Sequence, residues 1–463
     1  MTVTTPVQTL SRARHGRPAA PVRIVHLGVG NFFRAHQAWY TEHAPDAAEW
    51  GIAAFTGRSA AIADALRPQE GLYTLITRGA AGDEFEVISS VSAVHAADEH
   101  AALLGYFRSP ALAIVTLTVT EAGYHRGPDG GLDLAAPDVA ADLAALRTAP
   151  DAPVRTAPGR LVAGLLARRD AGLGPLAIVS CDNLSGNGEA LARVVYDLAV
   201  EVDPSLVGWI AANVRFGTTM VDRITPATTD EHRAAVQDAL GVHDAAPVPT
   251  EPFAEWVIQG EFPAGRPAWE EAGARIVPDV EPFERRKLAL LNGSHSLLAY
   301  AATIVGHETV ADAITDPRCR GWVEQWWDEA CAHLPLPEDE LEAYREALIE
   351  RYLNPNIRHA LAQIASDGSL KLPVRIVPTL RAELAAGRTP RGACRAVAAW
   401  VLHLRGAGAP VRDVNGDAVP ALADGTLEEA VAKVLAFLVP ELAERADLRE
   451  AVLDEARVLG ELG

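Results

Sequence analysis

Lysine is almost absent from this chain. Among 463 residues Lys and Arg together number 41, and the lysines are Lys287, Lys371 and Lys433, which leaves 38 arginines. A compositional drift that rewrites surface lysines as arginines accounts for the imbalance and makes each surviving lysine informative. Arginine keeps its charge at any relevant pH, whereas a buried lysine can lose its proton and act as a base. Cysteine is scarce as well. Cys181, Cys319, Cys331 and Cys394 are scattered without metal-site or disulfide spacing, which predicts no metal ligation and suits a reducing compartment, the cytoplasm by default. No apolar run reaches the length of a membrane span. The leading segment MTVTTPVQTLSRARHGRPAAP has arginines but no apolar stretch behind them, so it reads as a frayed lead-in and not a secretory signal. Positive charge is in deficit: a formal net charge of −20 argues against the basic surface a nucleic-acid partner needs. Small-molecule partners and a monomeric chain are the expectation.

What is present describes a folded protein with a large interior, 49% hydrophobic and 22% charged. The length suggests more than one domain. Up to about residue 280, short β-branched runs alternate with Ala/Leu-rich helical stretches. Strands are predicted at VRIVHLGVG (22–30), GIAAFTG (51–57), EFEVISSVSAV (84–94), LAIVTLTVT (112–120) and LAIVSCDN (176–183). That alternation predicts an α/β unit with a doubly wound, largely parallel sheet over 1–280. From 281 to 463 helix-period segments dominate, and a mainly α-helical second domain is expected.

LGVGNF places Gly28 and Gly30 directly after the first predicted strand. In a dinucleotide-binding turn the first glycine permits the tight bend and the second lets the pyrophosphate approach the backbone; a plain strand-to-helix turn is the alternative. Phe33 stands where a full fingerprint has its third glycine. After the second strand, where NAD-binding folds carry an acidic residue for the ribose, the chain has Arg58 and Ser59. Arg58 could meet the 2′-phosphate of NADP, stack on adenine or face water.

FERRKLALLNGSHSLLAY (283–300) is apolar nearly all round yet contains Lys287, Asn292 and His295. On an ideal α-helix Glu284, His295 and Asn292 lie roughly 60°, 80° and 140° around from Lys287, and His295 lies about 12 Å along the axis. A substrate touching both ends must run along the helix, or the helix must bend near Gly293.

Taken in order, GVGNFFRAHQAWY, TLTVTEAGY, SCDNLSGNGE, MVDRITP and KLALLNGSHS resemble the polyol-specific long-chain dehydrogenases, the mannitol dehydrogenase family. The resemblance implies a Rossmann-type N-terminal domain, a helical C-terminal domain, an active site between them, NAD or NADP as cofactor and no catalytic zinc. It assigns Lys287 as general base, Asn292 and Asn183 as hydrogen-bond donors to the developing alkoxide, and His295 as a substrate-positioning group. Glu284 is either a proton relay or an i,i+3 ion-pair partner of Lys287. Asp222 resembles a position that contacts substrate hydroxyls, with a helix or turn cap as the alternative. Asn31, Phe32 and Arg34 in the glycine turn, with Glu121 beyond a later strand, are expected on the cofactor side. QIASDGSLKLPVR (363–375) resembles the sugar-acid branch of the family, the fructuronate reductases or D-mannonate oxidoreductases, because Gln363 stands where the polyol branch commonly has arginine. A carboxylate substrate needs cations; Lys371, Arg375, Arg358 and His359 are candidates, with a solvated charged loop as the alternative for Arg358 and Arg375. A catalytically silent sensor of dinucleotide and sugar acid is the competing class, and the intact lysine set argues against it.

Overall fold

A computed structural model describes residues 8–462. The chain divides into two compact units, Met1–Glu281 and Pro282–Gly463.

The first unit is built on an eight-stranded sheet: β1 Val22–Leu27, β2 Gly51–Phe55, β3 Val91–His95, β4 Ile114–Leu117, β5 Leu176–Ser180, β6 Val214–Asp222, β7 Glu255–Gln259 and β8 Arg275–Ile276. Their spatial order is β8-β7-β6-β5-β4-β1-β2-β3. From β6 through β3 the neighbours run parallel, and β7 pairs antiparallel with β6. The first six strands thus lie in the 3-2-1-4-5-6 order of a doubly wound dinucleotide fold. Alternate residues feed two cores: Val25, Leu27, Val115 and Ile178 pack on one face, and Ile24, Ile52, Ile114 and Val179 on the other. Both faces are covered, which is why these strands read as continuous apolar runs.

Two expectations change. The stretch 84–94 is two strands. Gly82–Ile88 joins a separate three-stranded sheet with Tyr73–Gly79 and Val248–Thr250, and β3 forms the edge of the main one. The break falls at Ser89 and Ser90, where the Ser89 N–H donates to Glu42 and the Ser90 hydroxyl to the Ala38 carbonyl, so this backbone leaves the ladder. The lead-in is ordered from residue 8. Gln8–Thr9 pairs with Val242–His243, Leu10 is buried, and the Arg12 guanidinium donates to the carbonyls of Arg17, Ser89 and Val91. Residues 1–7 of that segment lie outside the described residues.

The absent third glycine also has a structural counterpart. Phe33 stacks on the buried His26 of β1 with ring centroids 3.6 Å apart. The His26 ring is satisfied by Thr116 Oγ1 at 2.8 Å and Thr118 Oγ1 at 3.0 Å. Burial pushes His26 down to about 3, so the folded ring stays neutral while the unfolded one takes a proton below 6.5. Its contribution is present above pH 6.5 and is lost at about 1.4 kcal/mol per pH unit below it, until the folded ring titrates. Urea unfolding from pH 7 to 4 should show a shallower loss of stability in His26→Gln than in the parent.

The second unit is helical; among its described residues the only extended pairing is the isolated bridge between Thr309 and Ala360. Helix Arg391–Leu404 packs against Ser294–Ile304, Pro317–Cys331 and Ala446–Gly460. Ser294–Ile304 is buried at every position except Thr303. Among the described residues no helix is long and apolar enough to cross a membrane.

Candidate active site

Gly28 has φ +108°, and a Cβ there would lie 2.1 Å from the Thr118 carbonyl oxygen, so the turn accepts no side chain. Gly30 is exposed, and a Cβ there would meet nothing closer than the Gly28 carbonyl at 3.8 Å. The turn therefore presents bare backbone and the free N–H groups of helix Asn31–Ala35, which fits the pyrophosphate of a dinucleotide. The side chains of that helix turn elsewhere. Asn31 Nδ2 donates to the Pro226 carbonyl at 3.0 Å and Phe32 stacks on His36. Arg34, expected on the cofactor side, is buried and donates to Asn31 Oδ1 and the carbonyls of Gly30 and Ala246. These bonds hold the turn together.

The remaining candidates of this unit follow the carboxyl ends of the strands, where open α/β sheets place ligands. Arg58 is exposed past β2; Glu121 is exposed at the head of a 3₁₀ turn past β4; Asn183 is exposed on a bend past β5. Asp222 is buried as the last residue of β6. Sequence reasoning passed over Asp182, beside Asn183. Its buried carboxylate accepts the Thr120 N–H at 2.7 Å, the Val119 N–H at 3.2 Å and the Tyr124 hydroxyl at 3.0 Å. Thr120 adopts φ +67°, ψ 164°, a conformation costly for a β-branched residue. Asp182 thus clamps a strained loop to the strand end that bears Asn183. The acid next to the amide in SCDN was the available signal.

The lysine helix of the second unit is not a regular α-helix. Glu281–Arg286 is α-helical, Lys287–Gly293 is a π-helix, and α-geometry resumes at Ser294. The face angles derived for an ideal α-helix are therefore corrected. With i→i+5 bonding, Lys287 and Asn292 stand one turn apart on a common face instead of roughly 140° apart. The widened turn is held from outside. Trp326 Nε1 donates to the Ala289 carbonyl and Trp327 Nε1 to the Leu290 carbonyl, both at 2.9 Å. The Tyr352 hydroxyl reaches the Leu291 carbonyl at 3.3 Å, and Arg375 reaches the Asn292 carbonyl at 3.5 Å. Gly293 makes room for this clasp, since a Cβ there would press 2.7 Å from the Trp326 ring. Lys287, Asn292 and Glu284 are half-buried.

His295, on the next turn, is buried, and its ring lies 5.0 Å from those of Tyr352 and His359. Burial, reinforced by His359, Arg351 and Arg375, holds His295 well below its usual range, and burial with Arg351 and Lys371 lowers His359. Both imidazoles are therefore neutral near pH 7 and can donate or accept. The Nδ1 of His359 is buried with no hydrogen-bond partner. Arg375 also donates to Ser296 Oγ at 3.2 Å. It sits at the end of helix Gly368–Arg375, half-buried, so the solvated-loop reading of Arg375 is corrected. Among the described residues it has no carboxylate partner. Lys371 is half-buried and donates to the carbonyls of Ile364 at 3.1 Å and Ser366 at 2.6 Å. Gln363 and Arg358 are exposed. Arg351, buried and acting on both histidines, went unnoticed in the sequence because it stands in the last turn of a helix with no motif around it.

One trio among the described residues could hold a cation: ligand atoms of His307, Asp316 and Cys319 lie within 4.8 Å of one another. Asp316 is already committed, accepting from His307, from the Arg318 guanidinium and from the Arg318 N–H.

Comparison with known proteins bears on both units. Residues 22–271 match the mannitol dehydrogenase Rossmann domain and residues 279–456 the mannitol dehydrogenase C-terminal domain. The chain is 42% identical over 407 residues to D-mannonate oxidoreductase of Escherichia coli (strain K12), covering 86% of this chain and 82% of that protein. It is 37% identical over 407 residues to mannitol 2-dehydrogenase of Cereibacter sphaeroides, covering 86% and 84%. Pseudomonas fluorescens mannitol 2-dehydrogenase, solved as a ternary complex with NAD and D-mannitol, superposes with a TM-score of 0.77 at 33% identity over 98% of this chain and 94% of that one. With both domains matched along nearly their whole length, the chain belongs to the mannitol dehydrogenase family.

Proposed function

We propose that this oxidoreductase interconverts a secondary alcohol and a ketone on a sugar acid, D-mannonate and D-fructuronate, with Lys287 as general base. One observation carries the choice of substrate: Arg375, half-buried, meets only neutral oxygens, the Asn292 carbonyl and Ser296 Oγ, and has no carboxylate partner among the described residues. A buried guanidinium without a counter-ion is costly, and a substrate carboxylate supplies the missing charge with matched geometry. The neighbouring cations Arg351 and Lys371 favour the same anion, and the 42% identity to a D-mannonate oxidoreductase agrees with it.

Bound nicotinamide dinucleotide, NAD in the solved relative, accepts or returns the hydride. The chain's own residues handle the proton and the charge. Lys287 takes the hydroxyl proton and Glu284, one turn earlier, passes it toward solvent. Asn292, brought onto the lysine face by the π-turn, donates its amide to the oxygen as negative charge develops. Neutral His295 donates a hydrogen bond to a substrate oxygen without adding charge.

The competing reading is a polyol such as mannitol, for which Cereibacter and Pseudomonas relatives are named. Following NADH absorbance with D-fructuronate and with D-fructose separates them. The sugar acid should be preferred by kcat/KM, and Arg375→Gln should raise KM for it about tenfold or more while changing KM for fructose little. A clear preference for fructose in the parent enzyme would overturn the assignment.

A further inference from the structure

Helix Gly368–Arg375 carries both Lys371 and Arg375, and it is too weak to place them unaided. It has eight residues, short of the length at which a helix persists in water. Pro373, inside it, lacks the N–H that would bond within the helix. Asp367, directly before it, adopts a left-handed φ of +59° that most side chains avoid. Leu370 and Val374 are exposed, so the outer face gains nothing from packing. What fixes the helix comes from a loop 44 to 47 residues further on. Asp413 grips Ser369 twice: its carboxylate accepts the Ser369 N–H at 2.9 Å and the Ser369 hydroxyl at 2.6 Å. Asn415 closes the contact, its Nδ2 donating to the same hydroxyl oxygen at 2.8 Å and its N–H to Asp413 Oδ1 at 3.0 Å. The backbone on either side engages Asp367. The Asp367 N–H donates to the Arg412 carbonyl at 2.9 Å, and the Val414 N–H to Asp367 Oδ1 at 2.9 Å. Gly368, between the two gripped residues, is buried and seats the helix start, since a Cβ there would lie 2.6 Å from the Tyr300 hydroxyl.

Charge is divided unevenly along this helix. Asp367 and Asp413 act on Lys371, whereas Arg375, at the far end, has no carboxylate partner among the described residues. The loop thus spends its anions on the helix start and leaves the guanidinium for a ligand. We propose that Asp413, braced by Asn415, is a positioning residue that sets substrate specificity, fixing helix Gly368–Arg375 so that Arg375 meets the carboxylate of the sugar acid. The proposal rests on the sugar-acid reading of Arg375. A purely electrostatic role predicts the opposite sign. Removing a nearby negative charge would favour an anionic substrate and lower its KM, whereas loosening the helix raises it.

Steady-state kinetics of the full chain with D-fructuronate and NADH test it. Asp413→Ala should raise KM for the sugar acid about fivefold or more, with kcat held within about twofold and KM for NADH unchanged. Asp413→Asn, which keeps an acceptor for the Ser369 hydroxyl, should recover part of the loss. Asp417→Asn removes the same charge from an exposed position outside the brace and should leave KM unchanged. A double-mutant cycle with Arg375→Gln gives the readout that a merely structural role would not move. If Asp413 acts through the guanidinium, Asp413→Ala adds less than about twofold to KM in the Arg375→Gln background, whereas independent effects multiply. Circular dichroism checks folding, and should Asp413→Ala not fold, Ser369→Ala, which removes only the hydroxyl, carries the same cycle. A KM unchanged or lowered by Asp413→Ala, or two effects that multiply in full, overturns the proposal and leaves the sugar-acid reading standing. A parent enzyme that prefers D-fructose overturns both.

Discussion

Lys287→Ala is expected to lower kcat by about 10²- to 10⁴-fold, the usual contribution of a positioned base. The affinity for dinucleotide, measured by titration without substrate, should be preserved, because the glycine turn is built wholly from residues of the first unit. Lys287→Arg should be nearly as slow as Lys287→Ala. Arginine retains the positive charge and the long stem but does not give up a proton at any accessible pH. That pair of variants separates a base from a charge: if Lys287→Arg restores turnover, the residue acts by electrostatics alone, and if Lys287→Ala leaves turnover intact with every sugar acid and polyol tried, the base assignment fails. The competing idea of a silent sensor predicts no turnover in the parent enzyme and no effect of either change.

Gly28→Ala should be the most damaging single-methyl addition in the first unit. The new Cβ would sit 2.1 Å from a backbone oxygen, at a φ of +108° that L-residues avoid. The atom it meets is the Thr118 carbonyl just past β4, so the side chain cannot rotate away; β1 and β4 must part or the turn must be rebuilt. The strain is of the order of 1–3 kcal/mol before any loss of packing. Dinucleotide binding should fall at least a hundredfold, and the apparent Tm by several degrees. Gly30→Ala, with nothing within 3.8 Å, should leave Tm unchanged and weaken nucleotide binding only. Equal effects of the two substitutions on Tm would show that the turn is not rigid.

The sheet was legible because β1, β2, β4 and β5 are buried on both faces and so appear as unbroken apolar runs. Tyr73–Gly79 and Val214–Asp222 were not picked out, since polar residues such as Thr77, Arg78, Arg215 and Thr218 interrupt their apolar character. The lysine, asparagine and histidine of the central helix were visible as polar exceptions in an apolar segment. The π-turn that arranges them was invisible, because its donors, Trp326, Trp327, Tyr352 and Arg375, come from 37 to 83 residues away. The buried bonds of Arg34, to Asn31 and to the carbonyls of Gly30 and Ala246, were equally invisible, since one partner lies 212 residues away. Arg375 stood open between a substrate contact and a solvated charge because one sequence carries no sign of which arginines lack a carboxylate neighbour.

The π-turn carries one residue more than an α-helix would need to cover the same ground. Deleting a single residue between Lys287 and Asn292 would let the ladder relax to i→i+4 and swing the lysine about 100° around the axis. The address of Lys287 is thus set by chain length, and no change of side chain can imitate it. Of the four outside clasps, the bond from Arg375 to the Asn292 carbonyl is the longest, at 3.5 Å. Under the proposed sugar-acid reading, a carboxylate that recruits Arg375 would release the backbone oxygen of Asn292, and the charge of the substrate would be felt at the peptide that closes the lysine's own turn.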